Sequence, residues 1–155
     1  MKGFTLIELM VAVSVGLVVT GMVIVNYNSY NTTQILKQAA LTLKNDIRFV
    51  QTKASTGVKP FGVCSTLTGW NMTFTSTGYT YGANCNGVAT GDVTTVTYPS
   101  GITLSALPSP NPVTFYVLSR GTNLGSTATL TLTGNGKQYI VQLGKNGDVS
   151  DSGIQ

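Results

Sequence analysis

Residues 1–25 read MKGFTLIELMVAVSVGLVVTGMVIV. A short polar lead ends at Gly3, and the 22 residues from Phe4 to Val25 carry one charge, Glu8. As a helix rising 1.5 Å per residue, that run extends about 33 Å, the thickness of a bilayer's hydrocarbon core. A cleavable secretory signal competes with this reading. The run is longer than a usual signal core, however, and passes into NYNSYNTT (26–33) without a small-x-small cleavage site. A membrane-spanning helix is therefore expected. Lys2, the cation at its near end, keeps the lead cytoplasmic and sends the remainder outward, with Tyr27 and Tyr30 at the far interface. An acid at mid-bilayer costs roughly 2.5–3.5 kcal/mol on insertion scales and usually has a partner. Close to the helix start, Glu8 can instead reach headgroup water, and from the residues alone both accounts stay open.

The chain has 155 residues, and about 100 of them follow Ser55, enough for one small core. Charged residues make up 9% and the formal charge is +4, while Gly, Thr, Ser and Asn are abundant, as in extracytoplasmic β-rich domains. Lys37, Lys44, Arg48, Lys53 and Lys59 gather in one stretch and read as a solvated helix face. Histidine is absent, which removes Ser-His-Asp and Cys-His catalysis and the commonest metal ligand. No paired-acid motif replaces them, so a membrane-anchored enzyme is the weakest class. The two cysteines, Cys64 and Cys85, cannot make a zinc site alone. Outside the cytoplasm they read as a single disulfide, with two buried thiols as the alternative.

Beyond the apolar run, ILKQAALTLKNDIRFVQTKA (35–54) is amphipathic: Leu36, Ala40, Leu43, Ile47, Val50 and Ala54 recur at steps of three and four. STGVKP (55–60) breaks this helix. The period then changes to two. WNMTFTS (70–76) puts Trp70, Met72 and Phe74 on one side and Asn71, Thr73 and Thr75 on the other; VTTVTY (93–98), VTFYVL (113–118) and TATLTLT (127–133) continue in the same style. Gly134-Asn135-Gly136 marks a hairpin turn, GKNGD (144–148) a second turn, and Pro108, Pro110 and Pro112 a loop between strands. A long helix followed by an antiparallel sheet is an α+β architecture.

Three binding motifs carry little. GNGK (134–137) lacks the upstream glycine of a phosphate loop and has Gln138 where Ser or Thr should stand. Asn146, Asp148 and Asp151 are too loosely spaced to read as a calcium site. Lys59, Arg120, Lys137 and Lys145 are scattered cations, without the clustering that DNA phosphates need. No cofactor or metal is expected.

KGFTLIEL (2–9), followed by the apolar helix, resembles the class III signal of type IV prepilins and type II secretion pseudopilins. That resemblance implies cutting between Gly3 and Phe4 by a membrane-embedded prepilin peptidase, which also methylates the new amino group of Phe4. It further implies that the Phe4 ammonium of one subunit meets Glu8 of a neighbour during assembly, and a buried pair is far less costly than a lone buried acid. Family members often carry a proline near the end of the apolar run, where this chain has Val25. Melting of the helix on filament packing would then fall to Gly16, Gly21 and the 26–33 patch of poor helix formers.

The implied layout is a leader (1–3), a transmembrane and assembly helix (4–25), an amphipathic half (26–54) and an extracytoplasmic β-rich head (55–155). The fold expected is pilin-like α+β, one long helix packed on an antiparallel sheet, and the later strands resemble the GspH/FimT group of minor pilins and pseudopilins. Such a chain is a structural subunit of a type IV pilus or a type II secretion pseudopilus. It sits first in the inner membrane among its lipids, then in a filament, with other subunits, the peptidase/methyltransferase and the inner-membrane assembly platform as partners. A minor pilin whose head binds DNA or a surface is the alternative. DNA is the less favoured partner, because acids intervene in GKNGDVSDSG (144–153), where the DNA-binding members carry an arginine motif.

Overall fold

The computed structural model describes residues 5–62, 64–86, 88–89, 93–118 and 121–155, with backbone alone at 22–28 and 88–89. Helix α1 spans Leu6–Ser55, 50 residues, and runs without interruption through the 26–33 patch. Thr32 and Thr33 there return their hydroxyls to the Ser29 carbonyl at 3.0 and 2.8 Å, so side chains that compete with helix elsewhere are absorbed into it.

The helix stops for local reasons. Gly57 adopts φ 66, and the amides of Gly57 and Val58 donate back to the carbonyls of Ala54 and Lys53, which closes a Schellman turn. Pro60 then bars a further helical turn.

Among the described residues nine strands follow: β1 (Leu67–Thr75), β2 (Gly78–Cys85), β3 (Val88–Ala89), β4 (Thr94–Thr97), β5 (Ile102–Leu104), β6 (Val113–Tyr116), β7 (Ala128–Gly134), β8 (Lys137–Leu143) and β9 (Val149–Ile154). They form two antiparallel sheets where the sequence suggested one. The first is ordered β3-β2-β1-β6, with β4 also along β2, and the second β5-β7-β8-β9. The division begins after β4. Gly101, at φ 83, and an Ile102 amide bond to the Pro99 carbonyl turn the chain away from the first sheet. A backbone bond from Leu104 N to Ser76 O at 2.9 Å ties the second sheet to the turn between β1 and β2 of the first.

The β7–β8 hairpin turns at Asn135 and Gly136, both with positive φ (50 and 73), the backbone that Asn-Gly favours. At the other sheet's edge, Asn111 extends the ladder with its side chain, accepting from the Phe74 amide at 3.0 Å and donating to the Phe74 carbonyl at 2.8 Å.

One core joins these layers. Leu36, Ala40, Leu43, Ile47 and Val50 are wholly buried, and Ala54 nearly so, which is the stripe read from the spacing. Against them pack Trp70, Met72, Phe74, Tyr79 and Phe115 of the first sheet and Leu130, Leu132, Tyr139, Val141 and Leu143 of the second.

Candidate assembly surface

Helix α1 has two unlike halves. From Leu6 to Val19 its large apolar side chains are 55–76% exposed, whereas the stripe from Leu36 to Ala54 is covered. Among the described residues no helix is long and apolar enough to cross a membrane. The span expected over Phe4–Val25 reaches past those residues at Phe4 and, for side chains, beyond Gly21. Gly3, Phe4, Lys2 and Arg120 also lie outside the described residues.

Glu8 is described, and it has a partner within its own chain. Thr5 is the N-cap of α1, and its backbone amide and hydroxyl donate to Glu8 Oε2 at 3.2 and 3.0 Å, while the Glu8 amide donates to Thr5 Oγ1 at 3.4 Å. This reciprocal capping box satisfies amides that the first helical turn leaves orphaned. An acid at this end is also favoured by the helix dipole. The sequence reading passed over the signal, which is the Thr-x-x-Glu spacing of TLIE (5–8).

Polar contacts hold the covered half of α1 to the head. Lys44 donates to Asp151 Oδ1 on β9, and the hydroxyl of Tyr139 on β8 donates to the other oxygen, Oδ2. Those two donors hold the Asp151 carboxyl below its usual value, the Lys44 bond first and the Tyr139 bond second. Burial, and then donation to Asp151, push the Tyr139 phenol up to about 12. On the first sheet, Tyr79 donates to Asp46 Oδ2 at 2.5 Å, and its phenol is raised chiefly by burial and next by that bond. Lys53 lies over the rings of Phe49 and Trp70, at 5.2 and 6.0 Å from their centroids. At the hairpin tip, Asn135 Nδ2 and Lys137 Nζ each donate to the helix, to Thr32 Oγ1 and Thr33 Oγ1, both at 3.0 Å. The glycine-rich turn thus latches onto α1 where the uncovered half ends.

The remaining candidates resolve plainly. Cys64 and Cys85 form a disulfide with Cα atoms 5.4 Å apart, joining the loop after α1 to the end of β2. Asp151 spends both oxygens on Lys44 and Tyr139, and among the described residues no group of three or more His, Cys, Asp or Glu is placed to hold a metal. Of the scattered cations, Lys59 donates to the Ser65 carbonyl and Lys137 to Thr33.

Residues 1–24 match the prokaryotic N-terminal methylation motif, and residues 39–147 match the family described as type II transport protein GspH, over more than half of the chain. The chain belongs to the GspH family. No curated protein and no solved structure matches it. The GspH match takes in the covered end of α1 and every strand through β8, while the methylation motif falls on the lead and the uncovered half of the helix. The GspH-like head and the motif-bearing helix together make this a pilin-like subunit of the type II secretion class.

Proposed function

We propose that the chain is a structural, non-catalytic subunit made as a membrane-anchored precursor and polymerised through the uncovered half of α1. Prepilin peptidase removes residues 1–3 and methylates the new amino group of Phe4. Residues 4–25 hold the trimmed chain in the inner membrane with residues 55–155 outside, and the assembly platform then draws it into a type II secretion pseudopilus or a type IV pilus. One observation carries the reading: a single 50-residue helix covers its second half with its own head and leaves the large apolar side chains from Leu6 to Val19 bare. Bare apolar surface on this scale marks a membrane or a protein interface, and the methylation-motif match falls on the same segment.

Glu8 has two successive roles in this scheme. It caps α1 in the lone subunit, and on assembly it accepts the Phe4 ammonium of a neighbour, which neutralises a buried acid. N-terminal sequencing of exported protein is expected to begin at a methylated Phe4. An intact Met1, or a start beyond Val25, overturns the processing step. Glu8→Ala is expected to insert and be trimmed as usual, yet to give less filament. Filament yield equal to the parent's removes the assembly role of Glu8.

A further inference from the structure

The turn that latches onto α1 also carries charge. Lys137 Nζ donates to Thr33 Oγ1 at 3.0 Å, which pins a cation of the head to the helix. An ammonium has three donors, so two remain for other acceptors. Tyr30, Thr33 and Lys37 stand three and four residues apart, on one flank of α1. Tyr30 is 63% exposed, and Lys37 is exposed one turn beyond Thr33. The fold thus brings one aromatic ring and two cations to the same edge of the molecule.

The acidic side chains stand elsewhere. Asp151 meets this flank at Lys44, and the 11 residues from Thr33 to Lys44 put that contact about 17 Å further along the axis. Asp46 accepts from Tyr79 on the first sheet. Among the described residues neither Lys37 nor Lys137 is in an ion pair. The side-chain charge at this end of the head is therefore positive.

We infer that this edge of the head rests on the surface of the membrane in which the helix stands, with Lys37 and Lys137 against anionic phospholipid headgroups. The occupant is a lipid surface because of where the patch lies. Tyr30 is 5 residues and Thr33 8 residues beyond Val25, the end of the expected span, or about 8 and 12 Å along the axis. Headgroups fill about 5–8 Å outside the hydrocarbon. Tyr30 then falls in the aromatic belt, and Lys137 within one Debye length, about 10 Å, of the phosphates. A membrane helix leans about 20° on average, and a lean toward the Tyr30–Lys37 flank lowers both ammoniums onto the phosphates. Charge sets the direction of the lean. This docking rests on the membrane placement proposed for residues 4–25.

The test uses the full-length chain in lipid vesicles. Cys64 and Cys85 are bonded to each other, so Gln138→Cys, at an exposed site beside Lys137, takes a single nitrobenzoxadiazole dye. Quenching of that dye by phosphatidylcholine carrying a headgroup nitroxide reads contact between the hairpin and the membrane. Vesicles with about 30% phosphatidylglycerol are expected to quench more than pure phosphatidylcholine, and about 1 M salt to remove the excess. Lys37→Gln and Lys137→Gln are each expected to lower the ratio of docked to undocked heads about fivefold, and the two arginine variants to keep it. Lys37→Gln leaves the Lys137–Thr33 bond in place, so its effect separates charge from the latch. Equal quenching in the two lipids, or an excess that survives both glutamines, overturns the docking. A dye at Ser14→Cys, quenched by nitroxide on the acyl chains, reports the bilayer placement in parallel. Quenching at 14 without quenching at 138 brings down the docking alone; quenching at neither brings down the membrane placement as well.

Discussion

At the scale of single residues, the informative positions are acids whose value depends on what they touch. Set against the bilayer around it, Glu8 is a costly charge, but within the chain its partner stands three residues earlier at the N-cap. The capping box was legible in TLIE, but a hydropathy reading of the segment hides it. Asp151 was not legible at all. In the sequence it is one polar residue of a turn-rich tail, and only the fold brings Lys44, 107 positions away, against it, with Tyr139 on its other oxygen and Arg48 adding a favourable charge nearby. The folded chain thus holds this carboxyl below the 3.8 of a free aspartate. The folded state binds the proton less readily than the unfolded one, so the stability Asp151 contributes is complete above about pH 4 and is lost as the pH falls through its lowered value. Asp151→Asn should therefore flatten the acid limb of a plot of urea midpoint against pH. A limb as steep as the parent's would assign acid sensitivity to other carboxyls.

Among the elements, periodicity was a sound guide wherever one face is buried. The Leu36–Ala54 stripe, the alternation of Trp70, Met72 and Phe74, and the Asn-Gly hairpin all follow from local spacing, and the structure shows each. The division into two sheets does not follow from spacing. It depends on a turn at Pro99–Gly101 and on which strand β5 pairs with, and pairing partners leave no period in the chain. The disulfide is intermediate: the composition named the pair, but only the fold brings the Cα atoms to 5.4 Å. It ties a loop without strand pairing to the end of β2, across a sequence separation of 21. Closing a loop of that size contributes about 3 kcal/mol by restricting the unfolded chain. Replacing Cys64 and Cys85 together with alanine should lower stability by about that amount, read as a fall in the urea midpoint. A midpoint within error of the parent's would mean the strand ladders alone fix the loop.

For the whole molecule, the decisive feature is that α1 does two jobs along one axis. Its bare half faces whatever surrounds the subunit, while its covered half forms the central wall of a core to which both sheets contribute. Neither sheet has a core of its own. Trp70, Met72 and Phe74 from one and Leu130, Leu132 and Val141 from the other belong to one cluster with Leu43 and Ile47. A head built this way should unfold as a unit, because losing the helix wall uncovers both sheets together. Ile47→Ala removes a wholly buried side chain from that wall and should cost about 2–5 kcal/mol. The loss should appear equally in Trp70 fluorescence, which reports the first sheet, and in far-ultraviolet circular dichroism, which reports the backbone of both, with the two transitions coincident before and after the change. Fluorescence that melts ahead of the dichroism in the Ile47→Ala chain would show that the second sheet stands without the helix, and the single-core account would fail.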